Sequence, residues 1–291
     1  MSTVTKGLGL SLMSRRSNLG ILLTVLRARF LIISRYRGSL FLETLLPLVF
    51  AALPIFIGVA VAGGDASAAQ NFQENVGTSD YKLYMLLGAN VFVVVSIMLW
   101  IVGFWIRREM EMGTLESIYL SPAKRVYVVS GIASYAFIRS AIAFVIALLL
   151  GSLVFGVNPF KGEILLAVVF LLIGLIPLWG LAFLFGALIL KIKEANSVIT
   201  SLQWVISFLM GVFFPIAAFP PLLRYVALAF PPTWINQGVR ASLLNLSYFF
   251  GTWYFHLAVV FVFAAVVPLI GYSVFLSTER RLKRKEGVGQ Y

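Results

Sequence analysis

Apolar residues in this chain come in long unbroken runs, not in alternation. Six runs, at roughly 39–62, 83–106, 127–157, 164–190, 198–219 and 255–277, are each long enough to cross a hydrocarbon core of about 30 Å as a helix. In lipid the backbone must satisfy its own hydrogen bonds, so continuous runs mean α-helices, whereas a barrel would alternate apolar and polar positions. The predicted fold is therefore an all-α integral membrane bundle with six transmembrane helices. Before the first run, Leu19, Leu22, Leu26, Phe30 and Ile33 recur at helical spacing, with Arg27 and Arg35 on other faces. This segment reads either as an amphipathic helix lying along the membrane surface or as a basic anchor preceding the first span. The first long run starts late and lacks the pattern of a cleaved signal peptide, so it is expected to remain as an anchor.

Between the fifth and sixth runs, two Pro-Pro pairs, at 220–221 and 231–232, enclose about nine residues. A helix that short reaches about 14 Å, too little to cross the core. The segment is expected to re-enter the membrane or lie on its outer face, with Trp234, Tyr248, Trp253 and Tyr254 as an interfacial aromatic belt. Asn245, Leu246 and Ser247 form a glycosylation triplet on the same side, a short pattern of little weight. Neither a long linker nor a fixed-period repeat divides the chain, and the Pro and Gly positions of the two halves do not superpose as an inverted repeat would. The expected organisation is a cytoplasmic N-terminal segment over 1–38, a transmembrane domain over 39–277 and a basic tail over 278–291.

Charge supplies the orientation. The chain is 60% hydrophobic and 12% charged with mean hydropathy +0.97, outside the balance of soluble domains. Its net charge of +12 is therefore read against the membrane, not as a nucleic-acid surface. Eighteen Lys and Arg fall in the termini and in the loops around 107–125 and 191–193; only Lys82, Lys161, Arg224 and Arg240 fall in the others, and Arg139 lies in a span. The positive-inside rule then places both termini in the cytoplasm of a multi-pass cell-membrane protein.

Candidate chemistry is sparse. There is no cysteine and a single histidine, His256, expected as an interfacial polar residue at the outer start of the last span. No nucleophile or metal-ligand set emerges, and no phosphate-binding glycine signature is present, so any ATP must be hydrolysed by another chain. Glu43 sits in the first turns of its span, where snorkelling suffices. Arg139 lies in a run longer than a bilayer needs and is placed at the inner interface.

The informative segment follows the second span. Gly113 permits a turn, Thr114 can cap a new helix, and Glu116 suits its positive end; Leu115, Ile118 and Tyr119 share one face, and Ser121 with Pro122 ends it. The result is a two-turn amphipathic peg on the cytoplasmic side. Glu109, Glu111 and Glu116 make its polar face acidic, which an anionic leaflet would repel, so a protein partner fits better than lipid headgroups.

These residues resemble the membrane subunits of ABC type-2 exporters. The likeness rests on Arg108 and Glu109, on the Gly113 to Glu116 stretch with Ser121 and Pro122, and on Phe214-Pro215, Phe219 with its two prolines, and Pro231 through Trp234. The resemblance implies a pair of permease subunits, homodimeric or heterodimeric, on ATPase subunits that bind ATP and Mg, with the peg as coupling helix. No cofactor and no catalysis are then expected in this chain. It also implies export of a lipophilic, lipid-like or lipid-linked substrate from the cytoplasm or inner leaflet. Independently, Asn196, Thr200, Gln203 and Ser207 form a polar stripe on one face of the fifth span, which either lines a translocation path or bonds a neighbouring helix. In the family the second and fifth spans resemble the pore lining, which favours the path. The rival reading, a self-sufficient secondary transporter, would need intramembrane carboxylates that the spans lack.

Overall fold

The computed structural model describes residues 18–35, 37–114, 125–192 and 195–285. All regular structure among them is helical: α1 Asn18–Arg35, α2 Arg37–Ala62, α3 Asp65–Val76, α4 Tyr81–Glu111, α5 Arg125–Phe155, α6 Ile164–Ile189, α7 Ala195–Leu209, α8 Pro221–Leu228, α9 Pro231–Leu244 and α10 Trp253–Lys285. Five of them, α2, α4, α5, α6 and α10, are long and apolar enough to cross a bilayer. They coincide with five of the six predicted spans.

The sixth differs. The run predicted as a span over 198–219 is α-helical only to Leu209, with one 3-10 turn at Ile216–Ala218 beyond it, and α7 has 15 residues, about 22 Å of helix. It stops because Gly211 takes the left-handed conformation at φ +60°, which favours glycine. A helix ending there leaves its last carbonyls unpaired. The turn itself closes three of them, from Met210 N to Ile206 O, Gly211 N to Phe208 O and Val212 N to Ser207 O; the carbonyl of Leu209 and those of the next three residues are met by three donors on one face of α9. Thr233 donates to Leu209 O at 3.2 Å, Asn236 to Met210 O at 2.9 Å, and Arg240 to Gly211 O at 2.7 Å and to Val212 O. The Arg240 Nε also reaches Tyr84 O at 3.1 Å, and the guanidinium stands 3.7 Å from the Tyr84 ring. Gly88, one turn along α4, leaves room for it, since an added Cβ would meet Arg240 Nη2 at 1.9 Å.

Arg240 reads in the sequence as an outer-loop charge; it is fully buried, because it holds the carbonyls of the connection that leaves the broken helix. The whole of α9 is more deeply packed than its sequence suggests, against α6, α4 and α10. Trp234, expected in an interfacial belt, is buried with its indole N–H on Leu228 O at 2.7 Å. His256 is likewise buried, not interfacial. Its Nε2 lies 2.8 Å from Trp234 O, inside a ring of Trp234, Phe170, Tyr248 and Phe249. Trp253 and Tyr254 are exposed. Arg240→Leu should destabilise the bundle by about 2–3 kcal/mol, the scale of charged hydrogen bonds lost with their acceptors left buried. Thermal melting in detergent checks this; a wild-type melting curve would refute the capping role.

The remaining helices sort into two ends. Lys82 pairs with Asp65 at 2.7 Å and Lys161 with Asp80 at 2.9 Å, joining α3, the start of α4 and the α5–α6 connection at the far end. Those contacts from Lys82 and from the Tyr81 hydroxyl hold the Asp65 carboxyl below its ordinary value. At the near end lie the close of α4, the start of α7 and the basic close of α10. There α1 packs on α5; of the predicted stripe Ile33 is buried, Leu22, Leu26 and Phe30 are half-buried and Leu19 stays exposed. Gly131 brings α5 against Val25, and Phe30 meets Tyr135 edge-on at 5.3 Å. Arg139 donates to the Tyr135 hydroxyl at 2.8 Å. At the bundle centre stands α4, with 89% of its most apolar window buried against 17% for α2 and for α10.

Candidate functional site

On the face where α2 and α7 flank α4, three cavities lie in series. The first, about 300 Å³, is lined by Leu46 and Phe50 of α2, Ser96 and Trp100 of α4, and Thr200 and Gln203 of α7. The polar groups in it are unusual for so apolar a setting. Among the described residues the Ser96 hydroxyl and the Trp100 indole N–H are buried without a hydrogen-bond partner, and the buried Gln203 lines the cavity beside them. Unpaired donors at membrane depth are costly unless something in the cavity meets them. The arrangement can therefore bind a polar group in an otherwise apolar passage.

Phe50 and Trp204 divide this cavity from the second, their rings 6.2 Å apart at 61°. The second is an apolar groove of about 950 Å³ running toward the far end between α2, α3, α4 and the 213–218 connection. Asn75, Val76 and Pro215 line both this groove and the third cavity, about 250 Å³, which carries Arg224, Gln237, Ser247 and Tyr248. Apolar and polar compartments thus follow one another along a single face.

The polar stripe is only partly assembled here. Thr200 and Gln203 line the first cavity, but Ser207 is turned away, its hydroxyl on Trp204 O at 2.8 Å within its own helix. The Asn196 side chain lies outside the described ones. Ser96 and Trp100 escaped the sequence reading, since one serine and one tryptophan within an apolar helix form no pattern. Their one sequence signal is a four-residue spacing on the central helix, legible only once α7 is known to face them.

At the near end α4 runs to Glu111, past the predicted span limit at 106, so Arg108 and Glu109 are helical. Arg107 pairs with Glu111 at 2.7 Å. Gly113 turns the chain at φ +67° and the Thr114 hydroxyl donates to the Glu109 carboxylate. Leu115, Glu116, Ile118, Tyr119, Ser121 and Pro122 lie outside the described residues. Arg29 of α1 sits within electrostatic reach: burial pulls its guanidinium below the ordinary value, and Glu109 opposes that shift. Among the described residues no three His, Asp or Glu gather as a metal site would require.

No curated protein matches the chain at a significant level. The sequence profile of the ABC-2 type transporter family matches residues 14–244, from just before α1 to the end of α9. That match covers most of the 291 residues, so this multi-pass membrane chain belongs to the ABC-2 type transporter family.

Proposed function

We propose that the chain is the transmembrane subunit of an ATP-binding-cassette exporter, carrying a lipophilic, lipid-like or lipid-linked substrate along the face between α2, α4 and α7. Family membership implies an ABC ATPase partner; ATP and Mg then bind that separate subunit, and a second permease subunit completes the pair. The near end, rich in Lys and Arg, is the cytoplasmic one and both termini lie there. On this reading α7 is the sixth crossing, completed by the connection after Leu209, and α8 with α9 forms the re-entrant segment. The turn at Gly113 opens the coupling helix that docks on the ATPase. Its movement on nucleotide closure rocks the bundle and opens the cavities alternately to the two sides.

The observation that carries the proposal is the first cavity, where the Ser96 hydroxyl and the Trp100 indole N–H have no partner among the described residues and the buried Gln203 joins them in the lining. A helix interface would have paired them, because unsatisfied groups are costly in hydrocarbon. The test is cysteine accessibility in the assembled complex. Cysteine at Gln203 or Thr200 should change its labelling several-fold when ATP traps the partner closed, while cysteine at Ser207 stays protected throughout. Gln203→Leu should alter transport or its substrate range with little loss of assembled protein. If a cysteine at 203 is protected in both states, the cavity is a packing defect and the path runs elsewhere. Failure to copurify with any nucleotide-binding subunit would remove the exporter reading as a whole.

A further inference from the structure

At the far end, the apolar groove of about 950 Å³ and the polar cavity of about 250 Å³ meet at Asn75, Val76 and Pro215. We propose that together they bind one anionic amphiphile, its headgroup at Arg224 and its hydrocarbon along the groove. This deepens the export reading and rests on it in naming the amphiphile as cargo; binding itself does not depend on it.

Charge makes the first case. Four basic residues lie toward this end, and three are committed. Lys82 is paired with Asp65, Lys161 with Asp80, and Arg240 is buried on backbone carbonyls. Arg224, exposed on α8, has neither an ion pair nor a hydrogen bond to its guanidinium among the described residues. Its neighbours in the cavity are neutral. Gln237 donates one amide N–H to Ser247 O at 2.9 Å and is uncharged. No carboxylate lies among the described residues lining either cavity. An unpaired guanidinium with its planar fork of donors, at a cavity whose other lining residues are neutral, favours an anion and suits phosphate or carboxylate.

Shape and chemistry make the second. The groove walls are Leu53, Ile57, Phe72, Met85 and Phe214, with Trp204 at its inner limit. Its size lies toward the upper end of the roughly 300–1,000 Å³ usual for small-molecule sites. A free anion would leave this apolar surface unused, and an uncharged hydrocarbon would make no use of Arg224. One molecule with both parts meets both needs. Trp204 also lines the first cavity, so the hydrocarbon end points back toward Gln203 and the proposed path.

The experiment uses the full-length chain in mild detergent, mixed with phosphatidylglycerol, phosphatidylcholine or glycerol 3-phosphate, with bound species read by native mass spectrometry. Phosphatidylglycerol should be retained about tenfold over phosphatidylcholine. Arg224→Gln should erase that preference and Arg224→Lys should keep most of it. Ala218→Trp, which fills the exposed groove without touching the core, should reduce retention of both lipids. Three outcomes overturn the proposal. Equal retention of the two lipids removes the headgroup assignment, and glycerol 3-phosphate binding as well as phosphatidylglycerol makes the site one for free phosphate. If Ala218→Trp changes the oligomer mass but not lipid retention, the groove belongs to a second copy of the chain. Retention is read without nucleotide or ATPase, so a chain that holds phosphatidylglycerol yet fails to couple counts against the export reading alone.

Discussion

Replacing Gly271 with valine should leave little folded protein to extract from the membrane. Of all helix pairs in the bundle, α6 and α10 share the most extensive contact, and at their crossing each presents a glycine. A Cβ on Gly271 would stand 2.1 Å from Gly180 O, and one on Gly180 would stand 2.4 Å from the backbone nitrogen of Pro268. Both obstacles are backbone atoms, so no side-chain rotation can relieve them. In a bilayer the close approach is also what holds the helices, since lipid gives no hydrophobic drive for association and small residues permit the van der Waals contact. Overpacking costs about 1–3 kcal/mol where the surroundings can shift, and here the two helices must part. The expected loss is therefore at the upper end or beyond, read as a fall of more than tenfold in monodisperse protein after solubilisation and a clearly lower melting temperature. Gly58→Ala is the control, because a Cβ there meets no atom within 4 Å. Wild-type melting of the Gly271 variant would show that the helices do not cross at these residues.

The other large effect concerns coupling and leaves the fold alone. Gly113→Pro should reduce substrate-stimulated ATP hydrolysis in the assembled complex to the level of the ATPase by itself. Proline fixes φ near −65°, whereas Gly113 sits at φ +67°. It also removes the N–H that donates to Met110 O at 3.1 Å and closes the turn. The segment beginning at Thr114 would then leave α4 in a different direction, away from its partner. No atom lies within 4 Å of a Cβ built at Gly113 and the residue is exposed, so the membrane bundle should melt as before. Gly113→Ala, which strains the same turn by about 1–2 kcal/mol but keeps the N–H, should fall between the two. Glu116→Lys tests the docking surface by charge and should uncouple through repulsion. Full coupling in both the proline and the lysine variants would remove the coupling-helix assignment.

The two predictions rest on features of different legibility. Gly113 stood out in the sequence because turn, cap and acid follow one another locally. The Gly180 and Gly271 contact did not, since two glycines 91 positions apart declare nothing about each other until the helices are packed. The same divide runs through the candidate site. Thr200 and Gln203 were visible as a stripe because helical periodicity is local, while Ser96 and Trp100 became site residues only through the helix facing them.

Sequence by itself determined the helical class and five of the six spans it predicted, and it supplied the expectation of which end faces the cytoplasm. Each follows from a constraint that acts residue by residue: hydrocarbon demands an apolar run of about 20 residues with internal hydrogen bonds, and the membrane sorts basic loops. Only tertiary structure decided which apolar helix is central. The most apolar windows of α2 and α4 have nearly equal hydropathy, yet 17% of one and 89% of the other is buried, because a side chain facing lipid and one facing protein meet the same solvent. Tertiary structure also decided where α7 ends and what Arg240 does. Capping carbonyls at Gly211 and Val212 from a residue 29 and 28 positions later satisfies a need that arises in one part of the chain and is met in another, and an arginine in such a place reads, letter by letter, like one in a loop.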